Sequence, residues 1–171
     1  SFLWEQTYAG QGGFADEGKD VKIDGSGNVY VAGVVDNWVG GKSLMIKYNS
    51  SGTALWVRSY DFALNDYEES LVLAIDPAGN AIATGNCGYI TVSDYATIKY
   101  DPNGTALWAR KYNSSQTSTD AVNSITTDKY GNVYAIGRLR VGQAGDNIQI
   151  VKYNSAGTLM WTYSRGGVGT D

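Results

Sequence analysis

Apolar and polar residues alternate with a period of about two along short stretches of the chain, and small polar turns separate these stretches. This period predicts β-strands with one face in a core. In the last third of the chain, Gly131 and Gly157 lie in two such turns, where glycine readily takes the positive φ of a tight hairpin. The four strands predicted there, A to D, are residues 121–128, 133–137, 147–153 and 158–164.

The four-strand pattern recurs at a nearly fixed distance. Its most regular marker is a tryptophan in strand D, at spacings of 52, 52 and 53 residues: Trp4, Trp56, Trp108 and Trp161. An aspartate at the end of strand A recurs in step, at Asp24, Asp76 and Asp128. The densest helix candidate, residues 67–75, aligns with strand A. Its end is therefore predicted as strand, with Glu68 and Glu69 in the loop before it.

A fixed period of this length predicts an array of four-stranded β-propeller blades, in which stacking buries both faces of each sheet. We therefore predict an all-β fold of three blades with an extra outer strand, in a ring that one chain leaves incomplete. The predicted segments are an orphan strand D at 1–8, blades at 9–60, 61–112 and 113–164, and a loop toward a next blade at 165–171.

Each repeat also matches a known residue pattern. Ile-Asp-x-x-Gly-Asn-x-Tyr-x-x-Gly, followed by Lys-Tyr-Asn-x-x-Gly-Thr-x-x-Trp, resembles the SBBP β-propeller repeat and, more distantly, the NHL repeat. The two halves of the pattern, with a few substitutions, occupy residues 23–33 and 47–56, 75–85 and 99–108, and 127–137 and 152–161. The resemblance implies a bacterial or archaeal surface or secreted protein, and it carries over no common catalytic residues.

Composition and charge exclude several function classes. The net charge is −4, the pI is about 4.7 and no basic run occurs, so the chain lacks an electrostatic footprint for nucleic acid. It contains no histidine, which removes Ser-His-Asp and Cys-His catalysis as well as histidine metal sites. We therefore expect no enzyme. A hydrolase or lyase that uses Asp66, Glu68 and Glu69 is the last alternative, and Cys87 is expected to be a buried thiol.

The connections between strands vary unequally. The A–B and C–D turns are nearly constant, whereas two sets of loops differ: D–A at 9–15, 61–67 and 113–119, and B–C at 34–42, 86–93 and 138–145. Because neighbouring strands run in opposite directions, these loops share one rim, and loops on a rigid scaffold often carry recognition. The aromatic residues predicted to bind a sugar or protein there are Phe14, Trp38, Phe62, Tyr67 and Tyr89. Drift in unconstrained loops, with rings covering the seams between blades, is the alternative.

An acidic residue recurs just before strand A of each repeat, at Asp16, Glu68 and Asp120. Strand A lines the channel of a propeller, so these side chains form a candidate Ca²⁺ site, since Ca²⁺ prefers several oxygen ligands. Capping of backbone N–H groups by a repeated loop residue is the alternative. The aspartates at the end of strand A are interpreted as turn residues, and the strand D tryptophans as packing between blades. No other cofactor is expected.

Three blades are too few for a ring, because known propellers have at least four. The open faces predict a partner: a second copy that closes a six-bladed ring, a fibre joined through the orphan strand, or further blades of a longer parent chain. We expect a non-catalytic extracellular or cell-surface module that binds a carbohydrate or protein through the variable rim. A self-assembling surface protein is the alternative, and neither nucleic acid nor membrane insertion is expected.

Overall fold

The computed structural model describes residues 3–10, 16–37, 40–62, 67–89, 92–113, 118–141 and 145–166. Within these ranges the chain forms twelve β-strands and no helix, which confirms the all-β prediction. The strands are β1 (Asp16–Ile23), β2 (Val29–Asn37), β3 (Gly40–Tyr48), β4 (Ala54–Tyr60), β5 (Tyr67–Ile75), β6 (Ala81–Tyr89), β7 (Val92–Tyr100), β8 (Ala106–Tyr112), β9 (Ser118–Thr127), β10 (Val133–Val141), β11 (Asp146–Tyr153) and β12 (Leu159–Gly166).

The strands form three four-stranded antiparallel sheets, in which each strand pairs with the next one along the chain. We call the sheets unit 1 (β1–β4), unit 2 (β5–β8) and unit 3 (β9–β12). A parallel bridge between Ser93 and Thr119 links units 2 and 3. The register of the outer pair repeats in all units: Lys47 pairs with Trp56, Lys99 with Trp108 and Lys152 with Trp161.

Several predicted segments differ from the structure. The predicted B–C loops, 34–42, 86–93 and 138–145, lie mostly within strands, because β2 pairs with β3 up to Asn37 and Gly40, β6 with β7 up to Tyr89 and Val92, and β10 with β11 up to Arg140 and Asp146. β5 begins at Tyr67, so Glu68 and Glu69 lie within the strand, because their backbones pair with Cys87 and Asn86 of β6. The predicted orphan strand at 1–8 is not a hydrogen-bonded strand in its described part. Residues 3–10 form no ladder, since they lie over the face of unit 1 rather than beside one of its edges.

The units stack face to face and bury two apolar layers. Between units 1 and 2 the layer contains Tyr30, Met45, Trp56, Leu73 and Ile98. Between units 2 and 3 it contains Ile82, Trp108, Val133, Val151 and Tyr153. Unit 2 is therefore covered on both faces, and its strand β7 is buried from Asp94 to Tyr100. Units 1 and 3 each keep one face that no other unit covers.

Residues 3–10 partly cover the open face of unit 1. That face carries a small apolar cluster of Leu44, Ile46 and Tyr48. The Trp4 ring lies over it, with its centroid 5.9 Å from that of Tyr48. A cleft of about 250 Å³ remains between the segment and the sheet.

Candidate functional site

Within the described residues, six tight turns form one rim and are closed in the same way. At each turn, the side-chain oxygen of an aspartate or asparagine accepts backbone N–H groups two and four residues later, as Asp76 does from Ala78 and Asn80 at 2.9 Å. Its carbonyl accepts the N–H of a glycine with positive φ, such as Gly79. The residues in this role are Asp24, Asn49, Asp76, Asp101, Asp128 and Asn154. Turn chemistry thus accounts for the recurring aspartates.

The C–D turn of a unit receives a tryptophan from the unit before it. Trp56 Nε1 donates to the carbonyl oxygen of Pro102 at 3.0 Å, and Trp108 Nε1 donates to that of Ser155 at 3.1 Å. The ring lies so close to the turn that a Cβ added at Gly104 would stand 2.9 Å from a ring carbon of Trp56. We call this arrangement the tryptophan–turn junction.

Two cationic side chains complete the junction between units 1 and 2. Lys47 Nζ donates to the same Pro102 oxygen as Trp56, at 3.1 Å, and Arg58 Nε donates to the Gly104 oxygen at 2.7 Å. Between units 2 and 3 the corresponding donors are Lys99, on Ser155 O, and Arg110, on Gly157 O. Three donors from one unit therefore converge on one turn of the next.

The spacing of the tryptophans predicted that they pack between units, but the arginines at the junctions were not predicted. Arg58 and Arg110 each follow the repeated tryptophan by two residues, and this spacing was a usable signal. In the third repeat Tyr163 holds that position, and in the N-terminal segment Gln6 holds it. Hydrogen bonding to the next turn's backbone explains why arginine recurs at the two internal junctions.

An ion pair is buried at the junction between units 2 and 3. Lys99 Nζ lies 2.7 Å from Asp76 Oδ2, and both side chains are 2% exposed. Burial disfavours the Asp76 carboxylate, but hydrogen bonds from Asn80 and Lys99 outweigh it and hold the pKa of Asp76 below its ordinary value. The A–B turn of unit 2 is thereby tied to strand C of the same unit.

The first strands of the three units lie close together. A cleft of about 360 Å³ is lined by Lys22 and Ile23 of β1, by β5 residues 73–75 and by β9 residues 125–127. Three strands from three different units therefore border one space, at the end of the sheets that carries the A–B turns.

The predicted acidic ring is only partly described. The Asp16 carboxylate accepts a hydrogen bond from the Gly10 backbone N–H, as a loop cap would. Asp120 is fully buried, and its carbonyl accepts the Ser93 hydroxyl at 2.7 Å. The Glu68 side chain lies outside the described residues. Among the described His, Cys, Asp and Glu side chains, no group of three is close enough to hold a metal ion, and the Ca²⁺ site stays a prediction.

The predicted ligand-binding aromatics lie on the rim opposite the six turns, as far as the structure describes them. Phe14 and Trp38 fall outside the described residues. Tyr67 begins β5 and Tyr89 ends β6, and the backbone of Tyr67 pairs with that of Gly88, so the two tyrosine backbones lie near each other at one end of unit 2, while their side chains lie outside the described residues. Phe62 is half-buried, with its ring 4.8 Å from that of Tyr60 in an edge-on contact, so it partly covers the seam between units 1 and 2.

The structure does not describe the side chains of the three acidic residues that the hydrolase or lyase alternative would use. Asp66 lies outside the described residues, and Glu68 and Glu69 are described by their strand backbone. The Cys87 thiol is buried. In the parts of the chain with described structure, no helix is long and apolar enough to cross a membrane.

Comparisons with known proteins add no family. A scan against protein-family models finds no match for this chain, and a comparison with curated protein sequences finds no significant one. The resemblance to the SBBP repeat therefore stays a prediction.

Proposed function

We propose that the three units are blades of a β-propeller of the SBBP type, and that the chain is a non-catalytic binding module outside the cell or at its surface. The face-to-face stacking of units 1 to 3 supports the blade assignment. The convergence of β1, β5 and β9 around one cleft supports it too, because the first strands of propeller blades border a central channel. The proposed location rests on the resemblance of the residue pattern to the SBBP repeat, which implies a surface or secreted protein.

The proposed binding role rests on a difference between the two rims: the turns of one rim are constant, and the connections of the other rim vary. One rim consists of six turns with the same hydrogen bonds, and its tryptophan–turn junctions fix each unit to the next. The B–C connections on the other rim differ in sequence between units, although the strands that they join keep one register: Tyr30 pairs with Lys47, Ile82 with Lys99 and Tyr134 with Lys152. A rigid frame that holds variable loops is the usual architecture of a recognition surface.

We infer a carbohydrate as the ligand class from the residue types that the sequence places on this rim. Tyr67 and Tyr89 end neighbouring strands on it, and Glu68 and Asn86 adjoin them in the ladder. Aromatic rings stack on the apolar faces of sugars, and carboxylates and amides bond their hydroxyl groups. The role needs no cofactor and no catalytic residue.

Binding to an array of purified glycans tests this proposal. The Tyr67→Ala and Tyr89→Ala variants are expected to bind the best glycan at least about tenfold more weakly, because a stacking ring at a binding hot spot is lost. Tyr130→Ala is the matched control, since Tyr130 is 71% exposed on the rim of constant turns. Unchanged binding by both rim variants, or no glycan binding by the unaltered chain, would contradict the carbohydrate proposal.

Self-assembly is the second candidate function, and a different observation favours it. The apolar face of unit 3 that would meet a further unit is open, with the Trp161 side chain 44% exposed. A face of this kind favours contact with another protein surface.

A further inference from the structure

The open face of unit 3 repeats a surface that is buried twice within the chain. In unit 1, Tyr30, Lys47 and Trp56 form one row across the sheet, and in unit 2 the row is Ile82, Lys99 and Trp108. Both rows face the following unit. The corresponding row of unit 3 is Tyr134, Lys152 and Trp161. We call the face that carries this row the tryptophan face.

The tryptophan face of unit 3 carries the same donor residues, Lys152 and Trp161, but no turn of another unit lies against them among the described residues. Trp161 is 44% exposed, whereas Trp108 at the same position is 7% exposed. The Lys152 ammonium lies over the ring of Tyr134, 4.8 Å from its centroid, as the Lys47 ammonium lies 4.9 Å from that of Tyr30. Ile136, Ile148 and Tyr163 extend the exposed apolar surface on this side.

The open face of unit 1 repeats the surface that receives such a row. The residues Val29, Val31, Ile46 and Tyr48 hold the positions that Val133, Ala135, Val151 and Tyr153 hold in unit 3, where they pack on Trp108 and its neighbours. The Asn49–Thr53 turn has the same closure as the two turns used at the internal junctions. On β1, Val21 pairs with Val31 and is 55% exposed. We call this surface the receiving face.

We propose that the tryptophan face of unit 3 docks on the receiving face of a second copy of this chain, head to tail. Trp161 Nε1 and Lys152 Nζ then donate to the carbonyl oxygen of Ser50 in the partner copy. This contact reproduces the junctions at Pro102 and Ser155, in which a tryptophan and a lysine share one carbonyl oxygen. Because one chain carries both complementary surfaces, the partner that fits its tryptophan face is a second copy of the same chain.

The segment 3–10 is a built-in competitor for this junction. Trp4 already occupies the turn at Ser50, through a hydrogen bond of 3.3 Å, and it lies over Tyr48. It holds that place weakly, since the segment belongs to no ladder, and Leu3 and Tyr8 are exposed. Docking of a second copy therefore replaces Trp4 by Trp161 at the same carbonyl oxygen, and the affinity between copies is reduced by the stability of that local contact.

Sedimentation velocity and light scattering over a range of concentrations test the proposal on the full 171-residue chain. We expect the mass to rise with concentration above 18.4 kDa. Trp161→Ala and Val21→Glu change one exposed residue on each end face, and each is expected to weaken association about 30-fold or more. Trp4→Ala is expected to shift association to about tenfold lower concentration by removing the competitor. Leu107→Ala, an equally exposed apolar residue of unit 2 away from both end faces, is expected to leave it unchanged.

Mixing two variants separates this geometry from any other self-association. The Trp161→Ala chain keeps an intact receiving face and the Val21→Glu chain keeps an intact tryptophan face. Their mixture is therefore expected to form a pair of about twice 18.4 kDa that grows no further. Circular dichroism checks that both variants are folded. The proposal would be overturned if both the unaltered chain and the Trp4→Ala variant stayed monomeric at all concentrations. It would also be overturned if Trp161→Ala left association unchanged. Neither result bears on glycan binding by the opposite rim.

Discussion

The tryptophan of strand D shows how its surroundings decide what one side chain contributes. Trp56 and Trp108 are 7% exposed and donate to a turn of the next unit. Trp161 also pairs with a lysine of the neighbouring strand, but it is 44% exposed. Sequence spacing predicts that all of them are equivalent. The packing between units makes them different, because burial and the indole hydrogen bond depend on a neighbour that a repeat pattern does not specify.

Replacing these tryptophans therefore gives unequal losses of stability. Trp108→Ala is expected to lower the free energy of unfolding by about 3–5 kcal/mol, since it removes a buried ring and leaves a cavity. Trp161→Ala is expected to cost less than about 1 kcal/mol in the monomer, as for other exposed positions. Urea unfolding at low protein concentration measures both, and equal losses would contradict the junction described for units 2 and 3.

The Asp76–Lys99 pair can be tested by a substitution that keeps the turn. Asn49 and Asn154 close turns of the same geometry, so Asp76→Asn preserves the backbone hydrogen bonds and removes the charge that faces Lys99. At pH 7 we expect a loss of about 3 kcal/mol in the free energy of unfolding, because a buried ammonium loses its partner. Asp24→Asn is the matched control without a buried ion pair and is expected to cost less than about 1 kcal/mol.

The pH dependence of this difference has a definite sign. The pKa of Asp76 is below its ordinary value of 3.8 in the folded chain. The pair therefore contributes its full stability above that ordinary value, and the contribution is lost as the pH falls through the lower folded pKa. Urea unfolding of the unaltered chain and Asp76→Asn should thus converge as the pH falls below about 4. A difference that stays constant between pH 7 and pH 2 would contradict the charge pairing.

At the scale of elements, the strand pattern was predictable because it is local and repeated. The predicted strands of the third repeat, 121–128, 133–137, 147–153 and 158–164, overlap β9 to β12. The alternation of side chains, the turn glycines and the Asp or Asn before them act over a few residues, so they are visible in sequence. The predicted start of β5 was wrong. The polar side chains of Glu68 and Glu69 indicated a loop, but the pairing of their backbones with β6 places them in the strand.

Two turn glycines with the same backbone conformation separate strain from packing. Gly104 and Gly79 have φ of 81° and 79°, so alanine suffers the same backbone strain of about 1–2 kcal/mol at either position. At Gly104 the new Cβ also meets the Trp56 ring at 2.9 Å, whereas at Gly79 the nearest atom is the Pro102 Cγ at 3.6 Å. Gly104→Ala is therefore expected to cost about 1–3 kcal/mol more than Gly79→Ala in thermal or urea unfolding. Equal costs would show that the ring does not rest on the turn.

At the scale of the whole molecule, the stacking order of the units explains which surfaces are used and which are open. Unit 2 is covered on both faces by apolar layers, whereas units 1 and 3 each present one member of the same complementary pair of faces. Period and composition predicted the repeated four-stranded sheets. They did not predict the cationic donors at each junction, because those contacts are set by how one sheet is placed on the next.

The candidate ligand-binding rim was less predictable than the frame that carries it. Its residues differ between repeats, so no internal comparison assigns them a common role. The structure adds that the backbones of Tyr67 and Tyr89 lie near each other at one end of unit 2 and that Phe62 packs on the seam between units 1 and 2. Packing thus explains the constant positions, and the proposed recognition role rests on the variable ones.

Hydrogen exchange of the tryptophan indole N–H groups tests most directly whether the units are locked together by the tryptophan–turn junctions. Two-dimensional NMR resolves these groups, and single Trp→Phe variants assign them. We predict slow exchange for Trp56 and Trp108, which donate to Pro102 and Ser155, and fast exchange for Trp161 in the monomer. Exchange of Trp56 and Trp108 as fast as that of Trp161 would contradict the stacked arrangement of the three units.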